Sequence, residues 1–222
     1  METILRAMGE MVQITTADVR QMKDFFVNAI DLQTASPFLL KRHYLKRLAQ
    51  TKYLFGIYKN NLIRGVICYG IPSSNNLCEG IAGRENKNLV IELNRLITDE
   101  GRVSWFISES IRLIPKPKII VSYADTEMGH IGYAYQSANF IYTGLTKERT
   151  DKFSDKHSRH ADKDETRRKK RSAKHRYVFL HGTKKQKKYL LKRLNYTSEP
   201  YPKGETNNYF ANQPINQQMV LF

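Results

Sequence analysis

The segment KIIVSYAD at residues 118–125, with TEMGHIGYAYQSANFIYTG after it at residues 126–144, decides the fold. The first part is apolar and β-branched and ends in the carboxylate of Asp125, which is the pattern of a buried strand. The second part predicts a glycine-rich turn, a short helix that carries tyrosines, and a new strand from Ile141. Together these elements bring polar groups to the carboxyl end of a sheet, where α/β proteins keep their sites.

The residues upstream predict the sheet that supports this segment. Residues 11–15 predict a first strand, and residues 53–70 predict a hairpin with an Asn-rich turn. Residues 71–76 predict a loop, and residues 89–97 predict a further strand. An amphipathic helix is predicted from Trp105 to Leu113, closed by two prolines.

Two helices are predicted between the first strand and the hairpin. The second starts at Ser36-Pro37, a cap followed by proline, and carries His43 and Tyr44 among its apolar residues. Two helices, a hairpin, and then alternating strands and helices is the element order of the acetyltransferase-like (GNAT) fold. We therefore predict an α/β fold of this kind, with a mixed central sheet flanked by helices and a basic C-terminal extension. The first helix follows the cap Thr16-Ala17-Asp18, and its apolar residues at helical spacing are Val19, Met22, Phe25, Phe26 and Ile30.

The turn that binds the donor in acetyl-CoA enzymes of this fold is altered in this chain. Such enzymes usually carry a Gln/Arg-x-x-Gly-x-Gly/Ala sequence there, which binds the pyrophosphate. Residues 98–104, with the sequence TDEGRVS, hold one glycine and two acids. This departure counts against acetyl-CoA as the donor. Acetyl-CoA and another acyl or glycyl donor both remain as alternatives.

The charge of the chain is strongly positive. The 222 residues include 37 Lys and Arg against 21 Asp and Glu, so that the net charge is +16 and the isoelectric point is about 9.8. Such a balance indicates a polyanionic partner, with nucleic acid first and an anionic membrane second. No stretch approaches the roughly 18 apolar residues of a membrane helix, and we expect no secretion signal. Two cysteines without a pairing pattern fit a reducing compartment, so we expect a cytoplasmic location.

The positive charge is concentrated after the predicted sheet. Residues 147–176 are charged and nearly free of aliphatic side chains, which predicts a mobile basic loop. A late strand at 177–182 and a basic helix at 184–194 are predicted to follow. Because the two signs of charge are not balanced here, contact with phosphates explains the segment better than a solvated surface does. The residues predicted to bind nucleic acid are Arg167, Arg168, Lys169, Lys170, Arg171, Lys184, Lys185, Lys187 and Lys188.

These features predict four parts of the chain. Residues 1–146 form a GNAT-like catalytic core, and residues 147–176 form the mobile loop. Residues 177–203 complete the domain and contact DNA, whereas residues 204–222 form a flexible tail.

Several polar residues have both a functional and a structural interpretation. Asp125 lies where sites form, but it could also cap the helix that follows. His130 lies between glycines and could be a ligand, a general base or a turn residue. His43 beside Tyr44 is, on its own, more often a half-buried surface pair than a catalytic one. Tyr135 is two residues from Tyr133, so that one is expected to face the core and the other a cleft.

A series of short motifs runs along the chain as far as Lys203. They are Gly65…Tyr69-Gly70-Ile71-Pro72, Glu92-Leu93-Asn94-Arg95-Leu96, Ser122-Tyr123-Ala124-Asp125, Gly129-His130-Ile131-Gly132, Tyr135-Gln136, Asn139-Phe140, Tyr142…Gly144 and Tyr201-Pro202-Lys203. In this order they resemble the Mom-type phage DNA modification proteins. The ordered set is more specific than any one of its motifs.

The resemblance implies an activity and a substrate. A protein of this family is expected to add a methylcarbamoyl (acetamido) group to the exocyclic amine of adenine in double-stranded DNA. The modification protects phage DNA from host restriction. To react, the adenine must leave the base stack, so we expect base flipping into the site.

The resemblance also implies roles for individual residues. Matched position by position, an iron site would be formed by His43, Tyr44, Asp125 and Tyr135. One imidazole, one carboxylate and two phenolates are a hard donor set that suits ferrous or ferric iron. The catalytic residues would be Tyr44, Asp125 and His130. Arg95 and Ser108 match positions implicated in activity or donor binding, although Ser104 and Ser110 lie near the second of these.

The last five residues, Gln218-Met219-Val220-Leu221-Phe222, resemble the Gln-Leu-x-Leu-Phe peptide that binds the bacterial sliding clamp. In this interpretation Gln218, Leu221 and Phe222 would bind the partner. The clamp would then bring the protein to newly replicated DNA.

Two other classes of function are compatible with the sequence. A GNAT acetyltransferase acting on a protein or small-molecule amine would bind acetyl-CoA tightly and leave DNA unchanged. A non-catalytic DNA-binding module would leave DNA unmodified and would tolerate changes at His43, Tyr44 and Asp125.

Overall fold

The computed structural model describes residues 4–7, 10–13, 24–153 and 164–204. No helix in the described part of residues 24–204 is long and apolar enough to cross a membrane. The strands are β1 (Ile4–Ala7), β2 (Glu10–Gln13), β3 (Phe25–Ala29), β4 (Tyr53–Lys59), β5 (Leu62–Gly70), β6 (Val90–Thr98), β7 (Lys118–Asp125), β8 (Ile141–Leu145), β9 (Arg149–Phe153), β10 (Asp164–Arg171) and β11 (Lys174–His181). The α-helices are α1 (Leu32–Pro37), α2 (Asn75–Asn86), α3 (Val103–Arg112), α4 (Tyr133–Ser137) and α5 (Lys184–Leu191).

Seven strands form one mixed sheet in the order β3-β4-β5-β6-β7-β11-β8. Strands β6 and β7 run parallel through residues 90–92, whereas β3–β4, β4–β5, β7–β11 and β11–β8 are antiparallel pairs. The pairs β1–β2 and β9–β10 form two separate small sheets. From the hairpin β4–β5 onward, helices alternate with the strands of the main sheet as far as β8. The predicted fold class, an α/β, GNAT-like mixed sheet flanked by helices, is confirmed.

The described residues from 24 onward divide into two compact units. The first contains residues 24–69 and 95–114, and the second contains residues 70–94 and 115–204. In the first unit, the Tyr69 and Ser110 hydroxyls share a buried hydrogen bond of 2.7 Å. An apolar cluster of the same unit consists of Ala35, Leu39, Val66, Cys68 and Ile97.

In the second unit, β11 lies between β7 and β8. All eight residues of β11 pair with β7, from Lys174 opposite Asp125 to His181 opposite Lys118. Because these strands are apolar in their middle, they bury side chains against α2 and α5. The buried cluster consists of Cys78, Ile81, Ala82, Val90, Ile119, Val121, Val178, Leu180 and Leu190.

The elements before the hairpin differ from those predicted. Residues 25–29 form β3 instead of the end of a helix, because they pair with β4 in continuous register. The second helix begins after the cap Asp31, not at Ser36-Pro37, and continues as a π-helical turn over Phe38–Arg42. His43 is extended, so it follows the helix instead of lying on it. Most of the first predicted helix lies outside the described residues.

Helix α2 is an element that the sequence does not predict. Its apolar pattern is weak, and Gly83 interrupts it with a φ of +74°. The interruption exposes backbone carbonyls that would otherwise be bonded within the helix. Asn195 replaces those bonds by donating to the carbonyls of Glu79, Gly80 and Ile81.

The segment 147–176 contains strands where a loop is predicted. Strands β9 and β10 pair within it, and we call this pair the basic ribbon. Backbone pairing gives order to a segment that has almost no aliphatic side chains to bury. Strand β11 starts at Lys174, three residues before the predicted start at Tyr177.

The glycine at position 65 permits a close approach within the first unit. A Cβ atom there would overlap the carbonyl oxygen of Ile97 and lie 2.7 Å from the Cα of Thr98. We predict that Gly65→Ala lowers the free energy of unfolding by about 1–3 kcal/mol, as expected for overpacking against backbone. Urea unfolding would measure this loss, and Gly101→Ala is the control because a Cβ atom at Gly101 meets nothing within 4 Å. Equal stability of the two variants would contradict the prediction.

Candidate active site

Asp125 ends β7 and is the centre of a polar cluster in the second unit. Its side chain is 15 % exposed. The carboxylate accepts a hydrogen bond of 3.1 Å from the backbone N–H of Glu127 and so caps the single 3-10 turn Thr126–Met128. Since an aspartate cap needs only one oxygen, the rest of the carboxylate is available for other partners.

Strand β11 and the two residues before it supply those partners. Lys174 pairs with Asp125 in the strand register, and its ammonium donates to the carboxylate. This contact uses Oδ2, whereas the Ser172 hydroxyl donates at 2.5 Å to Oδ1, the oxygen that also accepts from Glu127. Burial acts to raise the pKa of Asp125, but the hydrogen bonds from Lys174 and Ser172 and the Lys174 charge outweigh it. The pKa of Asp125 is therefore lowered, and the carboxylate is ionised at neutral pH.

His130 lies in the turn that follows Asp125. Its backbone N–H donates to the Asp125 carbonyl at 3.1 Å, which holds the turn against the end of β7. Burial lowers the pKa of His130, the Asp125 charge opposes this, and the Lys174 charge adds to it. With a pKa below its ordinary value of about 6.5, the imidazole is neutral at neutral pH and can accept a proton.

Tyr177 of β11 holds this turn through its hydroxyl group and its ring. The Tyr177 hydroxyl donates to the Ile131 carbonyl and accepts a hydrogen bond of 3.0 Å from the Gln136 amide. Burial raises the pKa of Tyr177 to about 12, so the hydroxyl keeps its proton. Gly132 has a φ of +85° and lies against the Tyr177 ring, where a Cβ atom would be 2.7 Å from Cζ. The turn of residues 129–132 therefore packs against this ring, and Gly132 provides the space for it.

Tyr135 joins an aromatic cluster behind the turn. Its ring centroid lies 5.4 Å from that of Tyr177 and 5.6 Å from that of Phe140. Tyr133 instead donates a hydrogen bond of 2.8 Å to the carbonyl of Gly204. The two tyrosines therefore contact different parts of the second unit, and both are half-buried.

His43 and Tyr44 belong to the first unit. Their rings stack with centroids 4.5 Å apart, and Nδ1 of His43 accepts a hydrogen bond of 3.1 Å from the Leu45 backbone. His43 is buried. The predicted metal ligands are thus divided, since Asp125 and Tyr135 belong to the second unit.

The predicted donor-binding residues also lie in the first unit. Arg95 is a buried cation on β6, and its charge opposes the burial that raises the pKa of Cys68 to about 12. Ser108 is partly buried on α3. The neighbouring Ser110 is fully buried and bonded to Tyr69, so it has a structural role.

The two acids of the turn at 98–104 are neutralised by cations. Asp99 forms an ion pair with Arg42. Glu100 lies 3.1 Å from Arg64 and 3.6 Å from Lys59. The turn therefore carries less negative charge than its sequence suggests.

The residues predicted to bind nucleic acid occupy two elements of the second unit. Residues 167–171 lie on β10 in the basic ribbon. The four predicted lysines of α5 are exposed, and in the described part of the chain none of them forms an ion pair. Gln218, Leu221 and Phe222 lie outside the described residues.

The structure gives no support for the implied iron site, and its four ligands remain a prediction. Within the described ranges, no group of three or more His, Cys, Asp or Glu side chains is placed to hold a metal ion. Both carboxylate oxygens of Asp125 already accept hydrogen bonds, and the cation beside them is Lys174. A metal ion at Asp125 would have to replace that ammonium.

Lys174 and Ser172 are members of the cluster that the sequence does not single out. Lys174 lies in the predicted basic loop, where it is one cation among many. The available signal is the alternation of Lys174 and Arg176 with His175 and Tyr177, which extends the late strand toward its start.

Comparison with known proteins identifies the family. A sequence model of the Mom protein family matches residues 24–203. The chain belongs to the Mom protein family. Family membership supports the prediction of a phage DNA modification protein. A comparison of this Mom-family chain with curated proteins finds no match.

Solved structures with a similar arrangement are acetyltransferases. A GNAT-family acetyltransferase from Bacillus cereus has a TM-score of 0.42 and 12 % identity, covering 72 % of this chain and 99 % of its own. A putative acetyltransferase from Salmonella typhimurium, solved with acetyl-CoA, has a TM-score of 0.42 and 10 % identity, covering 72 % and 97 %. A polyamine N-acetyltransferase from Drosophila melanogaster has a TM-score of 0.42 and 10 % identity, covering 71 % and 100 %. The fold assignment of the Mom-family chain rests on its own strand order and its parallel β6–β7 pair.

The lowered pKa of Asp125 predicts a pH-dependent contribution to stability. A carboxyl group with a lowered folded-state pKa stabilises the fold above its unfolded-state pKa of about 3.9 and loses that effect as the pH falls through the folded-state value. We expect Asp125→Asn to lower the free energy of unfolding by about 1–3 kcal/mol at neutral pH. The difference from wild type should shrink as urea unfolding is repeated toward acid pH.

The control for this measurement is Glu109→Gln, which removes the charge of a half-buried carboxylate in a surface pair with the exposed Arg112. Because surface pairs contribute little, it should change stability by less than about 0.5 kcal/mol at every pH. A loss in Asp125→Asn that is constant across the whole pH range would contradict the assigned pKa shift.

Gly132 provides a second prediction. Substitution by alanine places a Cβ atom against the Tyr177 ring at a positive φ, so we expect a loss of about 2–4 kcal/mol of stability. Thermal unfolding would measure it. Tyr177→Leu in the same background should recover part of the lost stability, because the smaller side chain makes room for the Cβ atom. If it does not, contact with the Tyr177 ring is not the cause of the loss.

Proposed function

We propose that this Mom-family protein adds a methylcarbamoyl (acetamido) group to N6 of adenine in double-stranded DNA and so protects the DNA from restriction. The observation that carries the proposal is the family match across residues 24–203. The polar cluster at the end of β7 supports it, because it brings an ionised carboxylate, a neutral imidazole and an ammonium together.

The chemistry requires removal of a proton from the adenine amine. As the bond from N6 to the carbon of the transferred group forms, the bond from that carbon to the donor breaks and the carrier leaves with its electron pair. N6 must at the same time lose one of its two protons. His130 is neutral and can accept that proton, and the nearby charge of Asp125 favours the resulting imidazolium. Lys174 keeps Asp125 ionised, so that the carboxylate is ready for this role. Tyr44 remains a proposed catalytic residue from the family resemblance.

The substrate requires a surface for DNA phosphates. Lys184, Lys185, Lys187 and Lys188 are exposed on α5 without an ion-pair partner in the described part of the chain. When cations without neighbouring acids contact a phosphate backbone, they displace the counterions bound to the DNA, and the release of those ions favours binding. Because N6 is not accessible for this reaction inside a stacked duplex, the target base would be flipped out.

The donor is proposed to be an acyl or glycyl carrier bound by the first unit. Arg95 supplies a buried positive charge there, as expected of a site for an anionic group. The ion pairs of Asp99 and Glu100 remove the charge objection to a CoA-type donor. Growth of the expressing cells with labelled acetate would test whether the transferred group derives from acetyl-CoA.

Mass spectrometry of nucleosides tests the proposed activity. Plasmid DNA from bacteria that express the wild-type protein should contain a new, heavier deoxyadenosine, which Asp125→Ala should abolish. Glu109→Ala, a carboxylate removed from the exposed pair with Arg112, should leave the new nucleoside in place. If a folded wild-type protein that binds duplex DNA leaves every nucleoside ordinary, the non-catalytic binding module is the better interpretation. If that protein also acetylates a protein or small-molecule amine, the acetyltransferase interpretation is favoured.

Iron is a separate proposal that comes from the family resemblance alone. It requires His43, Tyr44, Asp125 and Tyr135 to bind the ion after Lys174 has left the carboxylate. Iron analysis of the purified protein tests it. Iron near one equivalent in wild type and absent from Asp125→Ala would support a rearranged site, and protein without iron that still modifies DNA would exclude it.

The sliding clamp is proposed as a partner on the sequence of residues 218–222. Replacing Leu221 and Phe222 by alanine should abolish binding of the purified clamp in a pull-down. The matched control replaces Asn212 and Gln213 in the same tail. Clamp binding that survives the first change would remove this partner.

A further inference from the structure

A cleft of the second unit lies beside β8, at the end of the main sheet. It has a volume of about 350 Å³ and is lined by residues 139–142 on one side and residues 198–201 on the other. The backbone N–H of Glu199 donates to the Tyr142 carbonyl at 2.9 Å, and the Tyr201 hydroxyl donates to the Phe140 carbonyl at 2.7 Å. These two hydrogen bonds fix one wall of the cleft to the other.

The Glu199 carboxylate lies against the backbone of β8. Gly144 has a φ of +86°, and a Cβ atom there would lie 3.0 Å from the carboxyl carbon of Glu199. Glycine leaves this space open and adopts this conformation readily. In the described part of the chain, the carboxylate has no ion-pair or hydrogen-bond partner. Because an ionised carboxylate only accepts hydrogen bonds, its ligand has to be a donor.

Asn139 and Ser198 add uncharged polar groups to the lining of the cleft. Both residues are exposed, and neither side chain has a hydrogen-bond partner among the described residues. Asn139 has a φ of +59°, a conformation that asparagine adopts more readily than most residues do. Its amide offers a donor and an acceptor side by side.

Tyr201 provides an aromatic surface in the same cleft. The residue is 43 % exposed, although its hydroxyl is bonded to the Phe140 carbonyl. Since the hydroxyl is fixed, the ring keeps its orientation without a ligand. Stacking on aromatic side chains is a general means of holding a nucleobase that has left the helix.

The charge of the cleft distinguishes a base edge from the DNA backbone. The chain has a net charge of +16, yet Glu199 is the charged residue among the eight that line the cleft. A carboxylate repels a phosphate, whereas it accepts a hydrogen bond from an exocyclic amine. Adenine presents its amine beside a ring-nitrogen acceptor, which is the pattern that an asparagine amide complements. The cleft therefore suits an adenine edge better than a phosphate.

We propose that this cleft holds an unstacked adenine base, with Glu199 and Asn139 at its amine edge and Tyr201 against its face. The inference rests on the proposed function for the choice of adenine. It adds a binding site that stabilises the flipped base, because extrusion from the stack costs free energy that such contacts offset.

The cleft is near the Asp125 cluster but outside it. Leu145, which follows Gly144, pairs with His175, and the neighbouring Lys174 pairs with Asp125. Two interstrand spacings of about 4.8 Å place the backbones of Gly144 and Asp125 about 10 Å apart. A base in the cleft is therefore held beside the reacting groups and is not in contact with Asp125.

Binding of two single-stranded oligonucleotides to the full-length protein tests the proposal. One probe carries a single adenine among thymines, and the other carries purine, which lacks the exocyclic amine, at the same place. The wild-type protein should bind the adenine probe about tenfold more tightly. Glu199→Gln keeps the size of the side chain, and Asn139→Gly keeps the positive φ. Each variant should lower that ratio at least about threefold, because a hydrogen bond to the amine is weakened or lost.

The matched control is Glu85→Gln, which removes one exposed carboxylate from α2 of the same unit. It changes the net charge of the protein as Glu199→Gln does, and it should leave the ratio unchanged. Equal binding of the two probes by the wild type, or a ratio that Glu199→Gln does not change, would overturn the proposal. A ratio that is lost in Asp125→Asn and kept in Glu199→Gln would place the base at the Asp125 cluster and would also overturn it.

This measurement does not depend on modification of the DNA. If the ratio changes as expected but plasmid adenines stay ordinary, the proposed function fails while the base-binding site stands. If adenine is modified but the ratio does not depend on Glu199, the proposed function stands and the cleft is not the base-binding site.

Discussion

Strand β11 pairs with β7 along all eight of its residues, and most of the second unit depends on that pairing. The pairing brings Lys174 to Asp125, which would otherwise be a carboxylate at the end of a buried strand without a compensating charge. The same strand carries Tyr177, whose ring supports the glycine turn around His130. A single register thus fixes the carboxylate, its counter-ion and the shape of the neighbouring turn.

Much of the sheet is predictable from local sequence, because the pattern of apolar residues within each segment indicates a strand. The hairpin β4–β5 and the strands β6, β7 and β8 coincide with apolar, β-branched runs bounded by turn residues. Helix α2 is not predictable in this way, since Gly83 interrupts it and Asn195, far away in sequence, completes its hydrogen bonds. Residues 25–29 have helical spacing but become β3, because a neighbouring strand offers them a partner.

The candidate site is predictable only in part for a related reason. Asp125 and His130 are found from their place after a buried strand and between glycines. Lys174 is 49 residues away from Asp125, and no local pattern indicates that the two side chains meet. Charge composition indicates phosphate binding, but it does not distinguish the ribbon beside Asp125 from the helix at the far end of β11. That distinction depends on strand direction and register, which are properties of the folded chain.

The order β7-β11-β8 also has a consequence during synthesis. Strand β8 is made before β11. Among the described strands β11 is its only partner in the main sheet, so β8 cannot join the sheet until residue 181 has left the ribosome. Until then β7 presents an open edge, and Asp125 has no counter-ion. A nascent or truncated chain that ends before β11 therefore lacks the assembled cluster, and the protein acquires its site only as β11 is inserted.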